Sequence, residues 1–329
     1  MSKAVPMVKI LRGDFEESVH VGHAVVSNSK GDIIEAWGDP DRITLPRSSS
    51  KILQAIPLIE SGAADNYFLK SKHLALACAS HQGAFSHTNI VREWLGVIDS
   101  SDNDLRCGTH FPSDNHAHET LMKQNEKPCQ YHNNCSGKHA GFLTLSKYLN
   151  GDRDYHYLEH PVQQAVKSCF EDLTNTSNAL SAIDGCSAPN FACTLNGLAQ
   201  SMAIISEANQ ISSSSRTRAA YKLLQAMLEH PDLIAGGGRA CTELMMAIGK
   251  RAAIKTGAEA VFVAIIPELK LGMALKIEDG NMRASEAVIA ELLVRYNILE
   301  RNHPMAIKRL KGPITNWNGV KTGEYQVCF

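Results

Sequence analysis

The pattern of hydrophobic and polar positions changes along the chain from strand-like to helix-like and back again. Near the N-terminus, residues 7–45 contain short apolar runs bounded by polar turns, which predict β-strands. Toward the C-terminus, two apolar runs joined by a short turn predict a pair of buried strands, and the tail predicts an edge strand. The predicted strands are 19–21, 24–26, 33–37, 260–267, 271–277 and 320–329.

Between these ends, roughly over residues 70–250, apolar positions recur with a period near 3.6 residues, which is typical of helices. The helices predicted in this section are 86–97, 137–149, 161–173, 195–207, 216–228 and 239–250. Another helix is predicted from Ser48 to about Ser61, where Gly62 ends it, and one more over 284–299. Pro57 predicts a kink in the first of these helices.

Strands at both ends with helices between them predict an α+β fold, in which one antiparallel sheet is formed from both termini and a helical lobe is inserted. A chain of 329 residues is long enough for a single domain of two lobes. We expect the sheet lobe at about 1–70 and 250–329, and the helical lobe at about 71–249.

Composition restricts the partners and the compartment. A net charge of −1 gives no electrostatic reason to bind nucleic acid or an anionic membrane surface. No apolar run approaches the roughly 18 residues of a membrane span, and the N-terminal residues lack a signal-peptide pattern. Nine cysteines without a regular spacing indicate a reducing compartment. We therefore predict a cytoplasmic protein without nucleic-acid or membrane partners.

The stretch Ser48-Ser49-Ser50-Lys51, at the head of the first predicted helix, is the first candidate for chemistry. A serine three residues before a lysine lies on the same helix face. A lysine whose ammonium form is disfavoured by apolar surroundings can act as the base that a serine nucleophile needs. The spacing occurs again in Ser27-Asn28-Ser29-Lys30, which is typical of a hairpin turn, so Ser48 alone is equally consistent with a helix N-cap.

Two further polar patterns follow apolar runs or precede strands. Ser80-His81-Gln82-Gly83 comes directly after the apolar run 74–79, at a place where scaffolds present side chains to a cleft. Lys255-Thr256-Gly257 precedes the strand that starts at Ala260, and penicillin-recognising enzymes use such a triplet to place a cation and a hydroxyl. Alone, each pattern is also consistent with an ordinary loop serine or a solvated lysine.

Cysteines and glycines supply the remaining candidates. Cys135-Ser136-Gly137-Lys138-His139 and Cys186 carry thiols that could bind zinc, but the chain has no C-x-x-C pair and a lysine must be neutral to be a ligand. Residue chemistry alone therefore favours buried structural cysteines. Gly236-Gly237-Gly238-Arg239 is consistent with an anion site at a helix start or with a flexible loop, and it lacks the ending of a phosphate-binding loop.

Taken together, six stretches resemble the rhizobial-type (class 3, asparaginase II) L-asparaginase family. They are Arg47-Ser48-Ser49-Ser50-Lys51, Ala79-Ser80-His81, Arg106-Cys107-Gly108-Thr109-His110-Phe111-Pro112, Asn134-Cys135-Ser136-Gly137-Lys138-His139, Asp184-Gly185-Cys186 and Lys255-Thr256-Gly257-Ala258-Glu259. The resemblance runs in order over nearly the whole chain. It implies a fold similar to serine β-lactamases and glutaminases, and the hydrolysis of L-asparagine to L-aspartate and ammonia.

The resemblance also implies a role for each matching residue. Ser48 with Lys51 and Ser80 with Lys255 match the two catalytic Ser-Lys pairs of the family. A zinc ion, its ligands and a homodimer are implied as well. The implied ligands are Cys135, Lys138 and Cys186, and the implied substrate-binding residues are Arg47, His139, Asp184, Gly238 and Arg239. The glycine triplet departs from the Gly-Thr-Gly-type loop expected there.

Three questions stay open at this point. The chain could be another cytoplasmic serine amidohydrolase of the same fold, although Ser80-His81-Gln82 stands where β-lactamases usually carry Ser-Asp-Asn. It could also be a non-catalytic, zinc-stabilised amino-acid-binding protein. Ser48 is favoured as the nucleophile because helix geometry fixes its base, and the reverse assignment, with Ser80 attacking, is the rival.

Overall fold

The computed structural model describes residues 3–329, which form one eight-stranded antiparallel sheet, two small two-stranded sheets and a set of helices. The strands are β1 (Val5–Arg12), β2 (Phe15–Ser27), β3 (Ile33–Trp37), β4 (Ile43–Thr44), β5 (Ser181–Ile183), β6 (Pro189–Phe191), β7 (Cys193–Thr194), β8 (Ala253–Gly257), β9 (Val261–Ile266), β10 (Leu271–Ile277), β11 (Pro313–Thr315) and β12 (Lys321–Val327). The helices are α1 (Lys51–Glu60), α2 (Ala63–Asn66), α3 (Ser71–Ala77), α4 (Phe85–Val97), α5 (Asn115–Gln124), α6 (Ser136–Tyr148), α7 (Pro161–Leu173), α8 (Leu195–Ser206), α9 (Ser215–Glu229), α10 (Pro231–Ile234), α11 (Ala240–Ile248), α12 (Met282–Arg295) and α13 (Pro304–Leu310).

The large sheet is built from both ends of the chain, as the sequence predicts. Its order is β11-β12-β1-β2-β10-β9-β8, with β3 also paired to β2. The two strands predicted at 19–21 and 24–26 are one continuous strand, β2, and the turn predicted at Ser27–Lys30 is present between β2 and β3. The prediction that the C-terminal tail is an edge strand is wrong, because β11 pairs with the outer side of β12.

The described residues divide into two compact units. The sheet unit contains the chain up to Ser49 together with Cys193–Glu207 and Glu243–Phe329. It holds the eight-stranded sheet, and α8 packs on β10, β9 and β2. We predicted that α8 belongs to the helical lobe, and this is wrong because Leu198, Ala199 and Met202 on its apolar face are buried against the sheet.

The helical unit contains Ser50–Ala192 and Ala208–Thr242. Its centre is α1, which packs against α9, α7 and α6 and buries nine of its ten residues. We predicted that the chain up to about residue 70 lies in the sheet lobe, and α1 differs because its apolar positions match neighbouring helices. Pro57 lies inside α1, and the helix continues past it to Glu60.

Helix α3, helix α5 and strand β8 are among the elements that were not predicted as such. Helix α3 covers most of the apolar run before Ser80, and α5 follows it in a polar part of the chain. An aspartate cap begins α5, since the Asp114 side chain accepts a hydrogen bond from the Ala117 backbone N–H at 2.9 Å. Strand β8 carries Lys255–Gly257, which were expected to precede a strand. Within residues 3–329, no helix combines the length and apolarity needed to cross a membrane.

Candidate active site

The helical unit brings two predicted catalytic residues, Lys51 and Ser80, into direct contact. Lys51 is the first residue of α1, and Ser80 follows the end of α3. The Lys51 Nζ atom lies 2.9 Å from Ser80 Oγ, and Lys51 and Ser80 are 1% and 4% exposed. Nζ also donates to the carbonyl oxygen of Ala79 and, at 3.4 Å, to that of Asn134. The family resemblance implies the pairs Ser48 with Lys51 and Ser80 with Lys255, and the contact between Lys51 and Ser80 is neither of these two pairs.

Backbone hydrogen bonds hold Ser80 in place. The Ser80 N–H donates to the Ile234 carbonyl at 2.9 Å, and the His81 N–H donates to the Asn134 carbonyl at 3.2 Å. These bonds attach the turn after α3 to α10 and to the segment before α6. The backbone at Ser80 is thus held by main-chain hydrogen bonds from two successive N–H groups.

Ser48 lies in the sheet unit, in a single 3₁₀ turn that spans Arg47–Ser50 directly before α1. The N-cap of α1 is Ser50, so the interpretation of Ser48 as the helix N-cap is wrong. Arg47 has a φ of 54°, which a residue with a side chain adopts at a cost of about 1–3 kcal/mol. Such backbone strain is concentrated at functional sites, and here it immediately precedes the candidate nucleophile.

The strand that carries Lys255 packs directly against this turn. A Cβ atom on Gly257 would lie 2.4 Å from the Pro46 carbonyl oxygen and 3.1 Å from the Ser49 nitrogen, so only glycine permits the approach. Lys255 is 2% exposed and its Nζ donates to the Thr256 carbonyl at 2.8 Å. The sheet unit therefore places the segments of Ser48 and Lys255 side by side.

The three predicted zinc ligands lie together in the helical unit. Cys135 is the N-cap residue of α6, and Lys138 lies in the first turn of the same helix. Cys186 is in the turn between β5 and β6, where the Ser187 N–H donates to the Asp184 carbonyl at 2.9 Å. Lys138 Nζ lies 3.0 Å from Cys186 Sγ, and all three ligand candidates are buried.

Charge in this cluster is concentrated on one sulfur. A hydrogen bond from the Cys135 thiol lowers the pKa of Cys186 far below that of an ordinary thiol, against the effect of burial, and the Lys138 charge assists. The same hydrogen bond, together with burial, raises the pKa of Cys135. Burial by itself lowers the pKa of Lys138, but the interactions with the Cys186 and Cys135 sulfurs outweigh it and raise this pKa above its usual value. The opposite shifts of the two thiols make Cys186 the sulfur that more readily carries a negative charge.

No group of three or more histidine, cysteine, aspartate or glutamate side chains is arranged to hold a metal ion within residues 3–329. A metal at this cluster therefore requires the Lys138 amine as the third donor. The donor chemistry fits that requirement, because two sulfurs and a nitrogen suit zinc, and a cation can replace the proton on the amine. His139 Nε2 is buried in the same turn, and within the described part of the chain it makes no hydrogen bond of regular geometry.

The predicted substrate residues differ in their surroundings. Asp184, in the turn that carries Cys186, and Arg239 are half-buried, Gly238 is exposed, and His139 is fully buried. The glycine loop contacts the Ser80 turn, since a Cβ atom on Gly236 would lie 2.5 Å from the Gln82 side chain. Gln82 also donates to Asp114 at 3.1 Å. The sequence analysis did not predict that Gln82 contacts this loop. Its position two residues after Ser80 was the one feature that could have indicated a place in the site.

Comparison with known proteins identifies the family of this chain. The family model of L-asparaginase II matches residues 8–327, which is nearly the whole chain. The chain belongs to the L-asparaginase II family. This confirms the resemblance found in the sequence and makes the protein a member of an amidohydrolase family whose substrates are small-molecule amides.

Solved structures similar to this member of the L-asparaginase II family are distant from it in sequence. A β-lactamase from Mycobacterium bovis is 11% identical over 84% of this chain and 95% of its own, with a TM-score of 0.45. A structure named Mglu in its glutamate form is 13% identical over 85% of this chain and 62% of its own, with a TM-score of 0.42. A class C β-lactamase variant is 13% identical over 81% and 91%, with a TM-score of 0.40. Comparison with curated proteins gives no match.

Proposed function

We propose that the protein is an L-asparaginase that hydrolyses the side-chain amide of L-asparagine to L-aspartate and ammonia through a serine acyl-enzyme. Membership of the L-asparaginase II family supports the reaction class. The observation that carries the mechanism is the buried hydrogen bond between Lys51 Nζ and Ser80 Oγ. A buried amine that is hydrogen-bonded to a serine hydroxyl can act as a general base, which the attack of a serine on an amide needs.

The surroundings of Lys51 suit a group that both takes and returns a proton. Three oxygen atoms surround Nζ, which is the number of acceptors that an ammonium group can satisfy. A neutral amine in the same place has two N–H bonds for the carbonyls of Ala79 and Asn134 and one lone pair for the Ser80 hydroxyl. Lys51 can therefore change its protonation state without losing its position.

In the proposed first step, the Ser48 oxygen attacks the carboxamide carbon of asparagine, and the proton of Ser48 passes through the Ser80 hydroxyl to Lys51. Backbone N–H groups stabilise the oxyanion. The C–N bond then breaks, the leaving nitrogen takes a proton through Lys51 and Ser80, and ammonia departs. Water, activated by the same groups, attacks the ester of Ser48 and releases aspartate. Lys255 is the second amine that supports this proton transfer.

We propose that zinc is held by Cys135, Lys138 and Cys186 and that it is not the source of the nucleophile. When bound, the ion supplies positive charge that orients the polar groups of the substrate. Two thiolate ligands reduce its Lewis acidity, and the serine already supplies the attacking oxygen. Among the implied substrate residues, Arg47 and Arg239 are suited to the α-carboxylate of asparagine, because guanidinium groups pair with carboxylates.

A coupled ammonia assay tests the proposed function directly. We expect ammonia release with L-asparagine, and the same assay with L-glutamine and β-aspartyl peptides at equal concentration measures the selectivity. Turnover of the β-lactam nitrocefin without ammonia release from asparagine would instead favour another serine hydrolase. Calorimetric binding of asparagine without ammonia release would favour an amino-acid-binding protein. A cytoplasmic homodimer stays a prediction, to be checked by light scattering and by cell fractionation.

Removal of one zinc ligand is expected to affect binding more than chemistry. The Cys135→Ala variant should lose about one zinc per chain and show a larger rise in KM than fall in kcat, because the ion positions the substrate. Elemental analysis after purification without chelators and steady-state kinetics measure the two effects. The control is Cys169→Ala, which removes an equally buried thiol from α7 and should keep both zinc and turnover.

Two outcomes would contradict the zinc assignment. Wild-type protein without zinc would leave Cys135 and Cys186 as interior thiols. A collapse of kcat in Cys135→Ala with unchanged KM would show that the metal takes part in the chemical step.

A further inference from the structure

A tyrosine hydroxyl and a histidine ring are in contact inside the helical unit, beside the cysteine–lysine cluster. Tyr155, in the loop between α6 and α7, is fully buried. Its Oη atom lies 3.1 Å from His139 Nδ1 and accepts a hydrogen bond from the Arg106 backbone N–H at 2.9 Å. These are the two hydrogen-bond partners of the Tyr155 hydroxyl within residues 3–329. Neither the sequence patterns nor the family resemblance points to this tyrosine.

The donors available fix where each proton lies along the hydrogen bonds from Arg106 through Tyr155 to His139. The Arg106 N–H can only donate, so the single proton of the Tyr155 hydroxyl has His139 Nδ1 as its acceptor. Burial raises the pKa of Tyr155 well above its ordinary value, so the phenol keeps that proton. A ring nitrogen that accepts a hydrogen bond carries no proton. The proton of a neutral His139 is therefore on Nε2.

Among residues 3–329, no group makes a hydrogen bond of regular geometry with His139 Nε2, although the residue is 0% exposed. Burial lowers the pKa of His139, and a hydrogen-bonding interaction with the Cys186 sulfur is the effect that most opposes this shift. Cys186 is also the sulfur that Lys138, the preceding residue on α6, contacts at 3.0 Å. The Nε2 N–H thus belongs to a ring that interacts with the sulfur of a proposed zinc ligand.

We propose that Tyr155 is a positioning residue that fixes His139 in the tautomer with its proton on Nε2, so that this N–H is directed to the Cys186 sulfur and holds it as a metal ligand. The metal part of this inference rests on the proposed function, whereas the tautomer does not. Partners that orient a metal ligand typically contribute about 10–100-fold to metal affinity. Tyr155 acts through His139, which has this role in addition to the substrate contact that the family resemblance implies.

The tautomer can be measured in zinc-free protein. In enzyme labelled with ¹⁵N-histidine, the ring nitrogens of His139 should show a protonated Nε2 and an unprotonated Nδ1, and the His139→Gln variant identifies these signals. In Tyr155→Phe, which removes the donor to Nδ1, we expect a mixture with the Nδ1-protonated form. A wild-type ring protonated on Nδ1, or an unchanged tautomer in Tyr155→Phe, overturns the proposal.

Zinc affinity, measured by competition with a chelator, tests the consequence. Tyr155→Phe should bind zinc about tenfold or more weakly, whereas Tyr296→Phe, which removes a hydroxyl bonded to Glu35 in the sheet unit, should bind it normally. His139→Gln keeps one acceptor and one donor and should retain most of the affinity, and His139→Leu should lose as much as Tyr155→Phe.

Two results in this experiment contradict the proposal: wild-type affinity in Tyr155→Phe, or equal loss in the glutamine and leucine variants. Circular dichroism shows whether each variant is folded. If Tyr155→Phe is not folded, the comparison of His139→Gln with His139→Leu decides the question. Failure of the wild type to bind zinc would refute the metal site of the proposed function. The tautomer measured without zinc would still decide the role of Tyr155.

Discussion

Replacement of Ser48 by alanine should reduce asparagine turnover by roughly 10⁴–10⁶-fold, the loss typical for a missing nucleophile. The fold should be little affected, because Ser48 is half-buried and the N-cap of α1 is Ser50. Substitutions of this kind change the free energy of unfolding by about 1 kcal/mol or less. Steady-state ammonia release and thermal unfolding measure the two effects.

The control for Ser48→Ala is Ser201→Ala in α8, which removes a buried hydroxyl that donates to the Leu198 carbonyl at 2.7 Å. This variant should keep normal turnover. Near-normal activity in Ser48→Ala would eliminate Ser48 as the nucleophile. An aspartyl adduct found on Ser80 by mass spectrometry would transfer the role to Ser80, and the Lys51–Ser80 hydrogen bond makes that the specific rival.

Replacement of Lys51 by arginine should be nearly as harmful as replacement by alanine, with a loss of about 10²–10⁴-fold in kcat. A guanidinium keeps the positive charge but does not release its proton at any working pH, so it cannot serve as the base. The matched control is Lys147→Arg, because Lys147 also donates to backbone carbonyls, those of Ile98 and Asp99, away from the predicted site residues.

A different result for Lys51→Arg would change the mechanism. Recovery of most of the wild-type rate would show that Lys51 acts only through its charge. Partial recovery of Lys51→Ala by added methylamine would support proton transfer, because a free primary amine can then occupy the space of the side chain. Both variants need a stability measurement, since Lys51 is buried among the apolar residues of α1.

Most of the architecture could be predicted because local pattern and tertiary environment agree. Buried runs such as 261–266 and 271–277 are strands, and the long periodic segments are helices. The exceptions have local causes. Helix α5 buries only Ala117 and Leu121, so its weak apolar pattern resembled a loop. The assignment of α8 to the wrong lobe arose because its apolar face does not indicate whether the partner is a sheet or a helix.

The sequence predicts candidate residues for the site but not the contacts among them. Serine and lysine patterns, together with the family resemblance, single out Ser48, Lys51, Ser80 and Lys255 as candidates, whereas the hydrogen bond between Lys51 and Ser80 depends on how α1 and α3 pack. For the cysteine–lysine cluster, residue chemistry alone favoured interior thiols, because spacing along the chain cannot reveal that Cys186 lies beside Lys138. No sequence pattern indicated Tyr155, because its proposed role depends on a hydrogen bond to His139, which lies on α6.

The order of strands in the large sheet has a consequence for folding. Strands β1 and β2 are made first, yet their lasting partners β12 and β10 come from the last sixty residues of the chain. Pairings so distant in sequence close long loops and form slowly. Until β12 pairs with β1, the backbone N–H and C=O groups on that edge of β1 are unpaired and can bind other chains. Shortening the chain at its C-terminus would therefore favour aggregation, even though every proposed catalytic residue is still present.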